Sequence, residues 1–183
     1  YNTDVAGSGA WVDFDEALTY ANGNKAKIYG LELAYTQKFS WLPSPWNGLL
    51  LGANATLSRS EAEIESQDVK RAIDLPNHSK LVGNLMLGWE NDKLSLRLAG
   101  NYKSKYLAEV GAIDDASHDL YADKQLFVDL RASYFITRNL QLTFEAQNIT
   151  DESYYVYAGR RDYNAQYEEY GPTYKLGLTY TNF

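Results

Sequence analysis

Apolar and polar side chains alternate with a period of two residues along most of the chain. The clearest run in the first half places Leu94, Leu96 and Leu98 in alternation with Ser95 and Arg97. Strict alternation over this length predicts a β-strand with one apolar and one polar face. Runs of this kind predict seven strands, at residues 27–39, 48–58, 81–90, 94–103, 126–134, 140–147 and 173–181.

The connections between the predicted strands alternate between short and long. Short connections fall at residues 40–47, 90–93 and 137–139, and long polar ones at residues 59–79, 107–123 and 150–170. In an up-and-down antiparallel sheet, successive connections lie at opposite ends. One end would therefore carry tight turns and the other long loops, which is typical of outer-membrane β-barrels. A Greek-key sandwich would mix the two lengths.

The aromatic composition favours a membrane wall. The chain has 16 Tyr and 4 Trp beside 6 Phe, and Tyr and Trp are enriched where protein crosses a membrane–water interface. Ordinary cross-strand aromatic pairing is the alternative explanation. We predict an interfacial girdle at the short-turn end, formed by Phe39, Trp41, Trp46, Trp89, Tyr134, Tyr180 and Phe183.

The polar face of the predicted strands carries charges of both signs. They are Glu32, Arg97, Asp129, Arg131, Glu145 and Lys175. In a closed barrel these side chains would face the lumen, where pairing with one another or with an internal plug offsets the cost of burying charge. We favour an ion-pair network over direct contact with a substrate.

Tyrosine and arginine side chains crowd the last long connection. They are Tyr155, Tyr157, Arg160, Arg161 and Tyr163. Aromatic and Arg side chains are typical binding anchors, because rings stack on sugar or siderophore faces and guanidinium groups pair with carboxylates. We predict that this loop contacts a substrate, with Trp11 near the N-terminus as a weaker candidate. Packing of the loop on its neighbours or on lipopolysaccharide is the equal alternative.

Charge and motif content argue against several other functions. The chain has 17 Lys+Arg and 24 Asp+Glu, a formal net charge of −7, and an acidic chain is a poor partner for nucleic acid. It has no cysteine, and His78 and His118 do not have the spacing of metal ligands, so no metal or other cofactor is predicted. No nucleophile–base motif or phosphate-binding glycine loop is present, so no enzymatic activity is predicted.

Four segments, taken in order, resemble strands of TonB-dependent outer-membrane receptors. They are KIYGLELAY at residues 27–35, FVDLRASY at 127–134, NLQLTFEAQNITDE at 139–152 and EYGPTYKLGL at 169–178. Pro172 stands where the family usually has arginine, and it is expected at a strand start because proline cannot donate to the ladder. Phe183 is out of step with the even-numbered apolar series that ends at Tyr180, which predicts a bulge or a frayed end near residues 181–182.

The resemblance implies a fold and a function. Receptors of this family have a TonB-binding segment and a plug inside a 22-stranded barrel, and they take up scarce nutrients such as siderophores, cobalamin or oligosaccharides. Seven strands alone would leave open edges in lipid. Residues 1–183 are therefore expected to be the C-terminal segment of a larger antiparallel up-and-down transmembrane barrel. Residues 1–23 would then be an extracellular loop, and the plug would lie elsewhere.

The resemblance also implies partners and a location. The location is the bacterial outer membrane. The partners are outer-membrane lipid and lipopolysaccharide, the plug and remaining strands, TonB through the N-terminal part, and the barrel-assembly machinery through the last strand.

Three alternatives stay open at this point. The first is a small adhesin or porin-like barrel without TonB coupling, which would need an eighth strand in residues 1–23. Asp4, Asp13, Asp15 and Glu16 argue against a strand there. The second is an outer-membrane enzyme of the lipase or protease type. The third is a soluble carbohydrate-binding β-sandwich.

Overall fold

The structure is a computed structural model that describes residues 25–66 and 69–182. Trp11 and Phe183, which were assigned candidate roles above, lie outside the described residues. In chain order the strands are β1 (Lys25–Lys38), β2 (Leu49–Ser66), β3 (Val69–Ile73), β4 (Leu81–Glu90), β5 (Leu94–Lys103), β6 (Tyr106–Glu109), β7 (Leu120–Ala122), β8 (Gln125–Phe135), β9 (Leu140–Gln147), β10 (Tyr154–Ala158), β11 (Asn164–Glu168) and β12 (Thr173–Tyr180). Two short 3₁₀ helices span Trp46–Gly48 and Ala116–His118. No helix within the described ranges is long and apolar enough to cross a membrane.

The main sheet has the order β1-β2-β4-β5-β8-β9-β12, with β3 added to β2. Every neighbouring pair is antiparallel. The seven strands on this path coincide with the seven predicted runs, and consecutive strands along the path are neighbours. The predicted antiparallel up-and-down architecture is therefore confirmed. The sheet does not close on itself among the described residues, because β1 and β12 are its two ends.

The connections have the predicted alternation. The short ones, residues 39–48, 91–93 and 136–139, lie at one end of the sheet, which we call the short-turn end. The described parts of the long ones, residues 69–80, 104–124 and 148–172, lie at the other end, which we call the hairpin end. Pro172 immediately precedes the first residue of β12 and so removes no ladder hydrogen bond, as predicted.

The prediction that the long connections are loops was wrong, because each of them contains strands. β2 continues past residue 58 to Ser66 and turns back into β3. The other two long connections supply a second sheet with the order β11-β10-β7-β6. This order repeats that of β12-β9-β8-β5 in the main sheet, so the hairpins β6–β7 and β10–β11 continue the main-sheet strands beyond a break.

Local conformations at Asn148 and Gly171 produce that break. Both residues have positive φ, +53° and +70° respectively, a region that Asn and Gly tolerate better than other residues. The Asn148 carboxamide accepts from the backbone N–H of Glu152 at 2.8 Å and donates to the carbonyl oxygens of Glu152 and Gly171 at 3.2 and 3.5 Å. One side chain thus holds the β9–β10 bend against the β11–β12 bend.

The register divides the main sheet into two chemically different faces. The apolar face carries Leu, Tyr and Phe side chains along the strands of the path, and many of them are exposed, from Phe144 at 37% to Leu176 at 74%. The buried hydrophobic residues lie at the hairpin end: Ala62, Leu107, Ala122, Val156 and Tyr157, together with Ala146 at the break. No described segment covers the apolar face. A β-sandwich would bury these side chains against a second sheet, so the sandwich alternative does not fit.

Candidate functional site

The tyrosine and arginine residues predicted to contact a substrate lie on one hairpin at the hairpin end. Tyr155 and Tyr157 are on strand β10, Arg160 and Arg161 are in the turn, and Tyr163 directly precedes β11. The segment is therefore an ordered hairpin rather than an irregular loop. Because β10 also pairs with β7, the hairpin is supported from the side by the preceding connection.

Arg161 and Tyr155 form the centre of the cluster. The Arg161 Nε donates to Asp123 Oδ2 at 2.8 Å, and its guanidinium lies 5.6 Å from the centre of the Tyr155 ring. The Tyr155 hydroxyl donates to the Arg161 carbonyl oxygen at 2.6 Å. The hydrogen bond to Asp123, and then its negative charge, raise the pKa of Arg161. The guanidinium is thus held in place while most of its surface faces solvent.

A cleft of about 280 Å³ opens beside this pair. Its lining residues are Asp123, Lys124, Glu152, Ser153, Tyr155, Arg161 and Tyr167. The rings of Tyr155 and Tyr167 meet edge to face, with centroids 6.3 Å apart. The cleft therefore offers two aromatic surfaces next to hydrogen-bonding groups of both signs, an arrangement that suits a ring-bearing polar ligand.

Asp123 and Tyr167 were missed by the sequence interpretation. Asp123 lies in the preceding long connection, and only the pairing of β7 with β10 brings it to the arginine. Tyr167 is in a short polar strand without alternation. A hydrogen bond to Glu169 is the main cause that raises the pKa of Tyr167.

Arg160 and Tyr163 form a second, more exposed pair at the tip of the hairpin. The Arg160 guanidinium lies 5.7 Å from the Tyr163 ring centre and 3.6 Å from Asp162 Oδ2. Both members of the Arg160–Asp162 ion pair are largely solvated, so the pair contributes little to stability.

Tyr157 differs from the other four predicted contacts because its side chain is buried. It is 5% exposed and stacks on Tyr121, with ring centroids 5.8 Å apart. Burial raises the pKa of both phenols. Tyr157 packs within the second sheet beside Tyr155, with ring centroids 6.0 Å apart, and it is not among the residues that line the cleft. Its contact with a substrate stays a prediction.

The six charges predicted for the polar face share that face by register. Glu32 is opposite Thr56, Arg131 is opposite both Arg97 and Glu145, and Glu145 is also opposite Lys175. Several of them have a partner on the same face, such as Arg131 Nε at 3.4 Å from Glu145 Oε1.

Two of these charges have partners that are not among the six. Arg97 lies 3.6 Å from Glu90, which also pairs with Lys38 at 2.7 Å. Asp129 accepts a hydrogen bond from the backbone N–H of Asn148 at 2.9 Å. Asp129 therefore supports the break between the sheets.

The predicted girdle aromatics within the described residues lie at the short-turn end. Phe39 and Trp41 meet with ring centroids 6.0 Å apart, and the Trp89 indole N–H donates to the Pro45 carbonyl oxygen at 2.8 Å. Trp41 and Trp46 flank the Ser44–Pro45 turn and are 72% and 58% exposed. Tyr134 and Tyr180 are exposed near the same end of β8 and β12.

Comparison with known protein families gives a match over most of the chain. A family model described as "TonB dependent receptor-like, beta-barrel" matches residues 1–149. No curated protein and no solved structure matches the chain.

Proposed function

The chain belongs to the TonB-dependent receptor-like β-barrel family, and on that premise we propose that it forms part of a transporter that takes up a scarce nutrient by means of TonB. Members of this family are outer-membrane transporters and not enzymes. Siderophores, cobalamin and oligosaccharides are the candidate substrates.

The observation that carries the proposal is the uncovered apolar face of the main sheet. In water, a face of exposed Leu and Tyr side chains this large would be unfavourable. In a bilayer, the same side chains contact hydrocarbon while the polar face lines the lumen. The six strands of the main-sheet path other than β2 have 8 to 14 residues, near the 9–11 residues that a tilted membrane strand needs.

The orientation follows from the connections. Outer-membrane barrels have short turns on the periplasmic side and long connections outside, so the cleft beside Tyr155 and Arg161 would face the exterior. The exposed Trp41 and Trp46 would then lie at the inner interface. Because Asp123 already compensates the charge of Arg161, we propose that the cleft recognises the ring and hydroxyl groups of a substrate more than its net charge.

We further propose the partners that a complete receptor needs. The residues described here would act as the C-terminal part of the barrel, with a plug pairing with polar-face charges such as Lys175. The N-terminal part of the receptor, on the plug side, would contact TonB. The apolar face would contact lipid and lipopolysaccharide, and the barrel-assembly machinery would recognise β12.

Uptake measurements test the proposed function. Cells that lack the receptor are supplied with it again and grown on ferric siderophore, cobalamin or oligosaccharide as the limiting nutrient. We expect the receptor to restore growth on one of these nutrients, and only when TonB is present. We expect Arg161→Ala or Tyr155→Ala to lower uptake about tenfold or more, as truncation of a binding anchor does.

Arg138 provides the matched control for this experiment. It is an exposed arginine in the short turn between β8 and β9, so Arg138→Ala should leave uptake unchanged at equal surface abundance. Uptake that continues without TonB, or an equal loss in Arg138→Ala, would contradict the proposal.

A further inference from the structure

A second cavity lies at the hairpin end, where the sheet splits. β3 pairs only with β2, and β6 pairs only with β7, so no ladder joins these strands across the gap in the described part of the chain. The gap holds a cavity of about 600 Å³. Its wall comes from the β2–β3 hairpin on one side and from residues 107–121 on the other.

A buried ion pair crosses the gap. Arg71 on β3 donates from Nη2 to Asp119 Oδ1 at 2.8 Å, and the two side chains are 17% and 4% exposed. The same Asp119 oxygen accepts the backbone N–H of Gly111 at 3.1 Å. Asp119 also fixes the neighbouring hairpin, because its carbonyl oxygen accepts the N–H of Gly159 at 2.8 Å.

This ion pair leaves most of the hydrogen-bonding capacity of Arg71 unused. The Nε and Nη1 atoms of Arg71 are buried and have no hydrogen-bond partner among the described residues. Guanidinium donors are arranged in a planar fork that matches a carboxylate or a phosphate. Buried donors without partners are rare in native proteins and call for an occupant such as a ligand or water.

The remaining lining suits an anionic group attached to an apolar body. Tyr121 presents a phenol whose pKa is raised, first by burial and then by Asp119, so it stays protonated and able to donate. Arg59 is exposed on the rim and forms no ion pair with the residues that the structure describes. Leu107 and Ala116 add apolar surface.

The acidic residues of the cavity do not cancel its preference for an anionic group. Asp74 is neutralised by Lys80 at 2.7 Å. Glu61 is exposed and lies opposite Lys27 in the β1–β2 register. Arg71 is therefore the buried positive charge of the cavity, since Arg59 is exposed to solvent.

We propose that this cavity binds the carboxylate or phosphate group of an anionic ligand, with the guanidinium group of Arg71 in the cavity wall as its anchor. The site lies apart from the Tyr155–Arg161 cleft, and its occupation does not depend on whether the ligand is transported.

Binding of inorganic phosphate and citrate to the full receptor in detergent tests the site. Phosphate binding is measured by ³¹P line broadening and citrate binding by saturation-transfer NMR. Arg71→Lys keeps the positive charge opposite Asp119 but removes the fork, and we expect affinity to fall about tenfold or more. Asp119→Asn removes the competing negative charge and frees a further donor, so we expect affinity to rise several-fold.

The two variants are expected to change anion affinity in opposite directions, which distinguishes a ligand site from a purely structural ion pair. Arg138→Lys, in the exposed short turn between β8 and β9, is the control and should bind both anions as the wild type does. Undetectable binding to the wild type would overturn the proposal, because water alone would then satisfy the donors. A folded Arg71→Lys protein with wild-type affinity, or weaker binding by Asp119→Asn, would also overturn it.

The phosphate group could belong to a small ligand or to lipopolysaccharide, and a further arm distinguishes these two sources. Receptor depleted of lipopolysaccharide is titrated with citrate, and lipopolysaccharide retention is measured for wild type and Arg71→Lys. In Arg71→Lys, weaker citrate binding with unchanged lipopolysaccharide retention identifies a small anion, and weaker citrate binding together with lower retention identifies the lipopolysaccharide headgroup. If neither changes, the proposal is wrong.

Discussion

Replacing Leu98 by arginine should destabilise the folded receptor in a lipid bilayer by about 2–4 kcal/mol, the cost of a cation at the midplane on the lipid side of a barrel. Leu98 lies at the middle of β5, opposite Leu87 and Leu130, on the apolar face. It is 40% exposed, so arginine would meet hydrocarbon and not the protein interior. Denaturant unfolding of the receptor in phospholipid vesicles measures the effect.

The adjacent residue supplies the control. Ala99 lies on the polar face, opposite Asp129 on β8, so Ala99→Arg places the same charge on the other side of the same strand. We expect a change of no more than about 1 kcal/mol there, because a charge beside an acidic neighbour in a polar setting costs little. Equal destabilisation by the two variants would show that lipid does not contact the apolar face.

The strands of the main sheet could be predicted from the sequence because each strand has one apolar and one polar face. This difference between the faces appears as alternation within a few consecutive residues. β4 and β5 have the predicted bounds, and their neighbours differ by a few residues at most except for β2. The extension of β2 past residue 58 was missed for a physical reason. Residues 59–66 still alternate, but the odd positions, which carry leucine and alanine up to Leu57, now carry charged side chains, and the small and apolar side chains such as Ala62 and Ile64 stand on even positions. The apolar series of β2 therefore ends at residue 57 although the backbone ladder continues.

The candidate site was only partly predictable for a different reason. The Tyr and Arg enrichment of residues 155–163 pointed to the correct hairpin, but composition does not tell which side chain packs inward. Tyr157 is buried because β7 pairs with β10 and brings Tyr121 against it. The contacts of Arg161 with Asp123 and of Arg71 with Asp119 join residues 38 and 48 positions apart, and no local pattern encodes them.

Replacing Asn148 by alanine should release the second sheet from the main sheet. Alanine is disfavoured at positive φ by about 1–2 kcal/mol, and the lost hydrogen bonds to Glu152 and Gly171 contribute about 1 kcal/mol each. With three such hydrogen bonds, we therefore expect the hairpin end to lose about 4–5 kcal/mol. Hydrogen exchange of the β10 amides, such as the Ala158 N–H that bonds to Tyr163, should accelerate accordingly, while amides paired between β4 and β5 should not change.

Two further variants divide this effect into its causes. Asn148→Gly restores the backbone freedom and removes only the side-chain hydrogen bonds, so its loss should be smaller than that of alanine. Asn77 has φ of +62°, and its side chain makes no hydrogen bond to the described residues. Asn77→Ala therefore measures the cost of placing alanine at positive φ without the loss of a side-chain hydrogen bond. If Asn148→Ala perturbs β10 no more than Asn77→Ala does, the carboxamide does not hold the two bends together. The tyrosine–arginine cleft would then depend on strand pairing alone for its position.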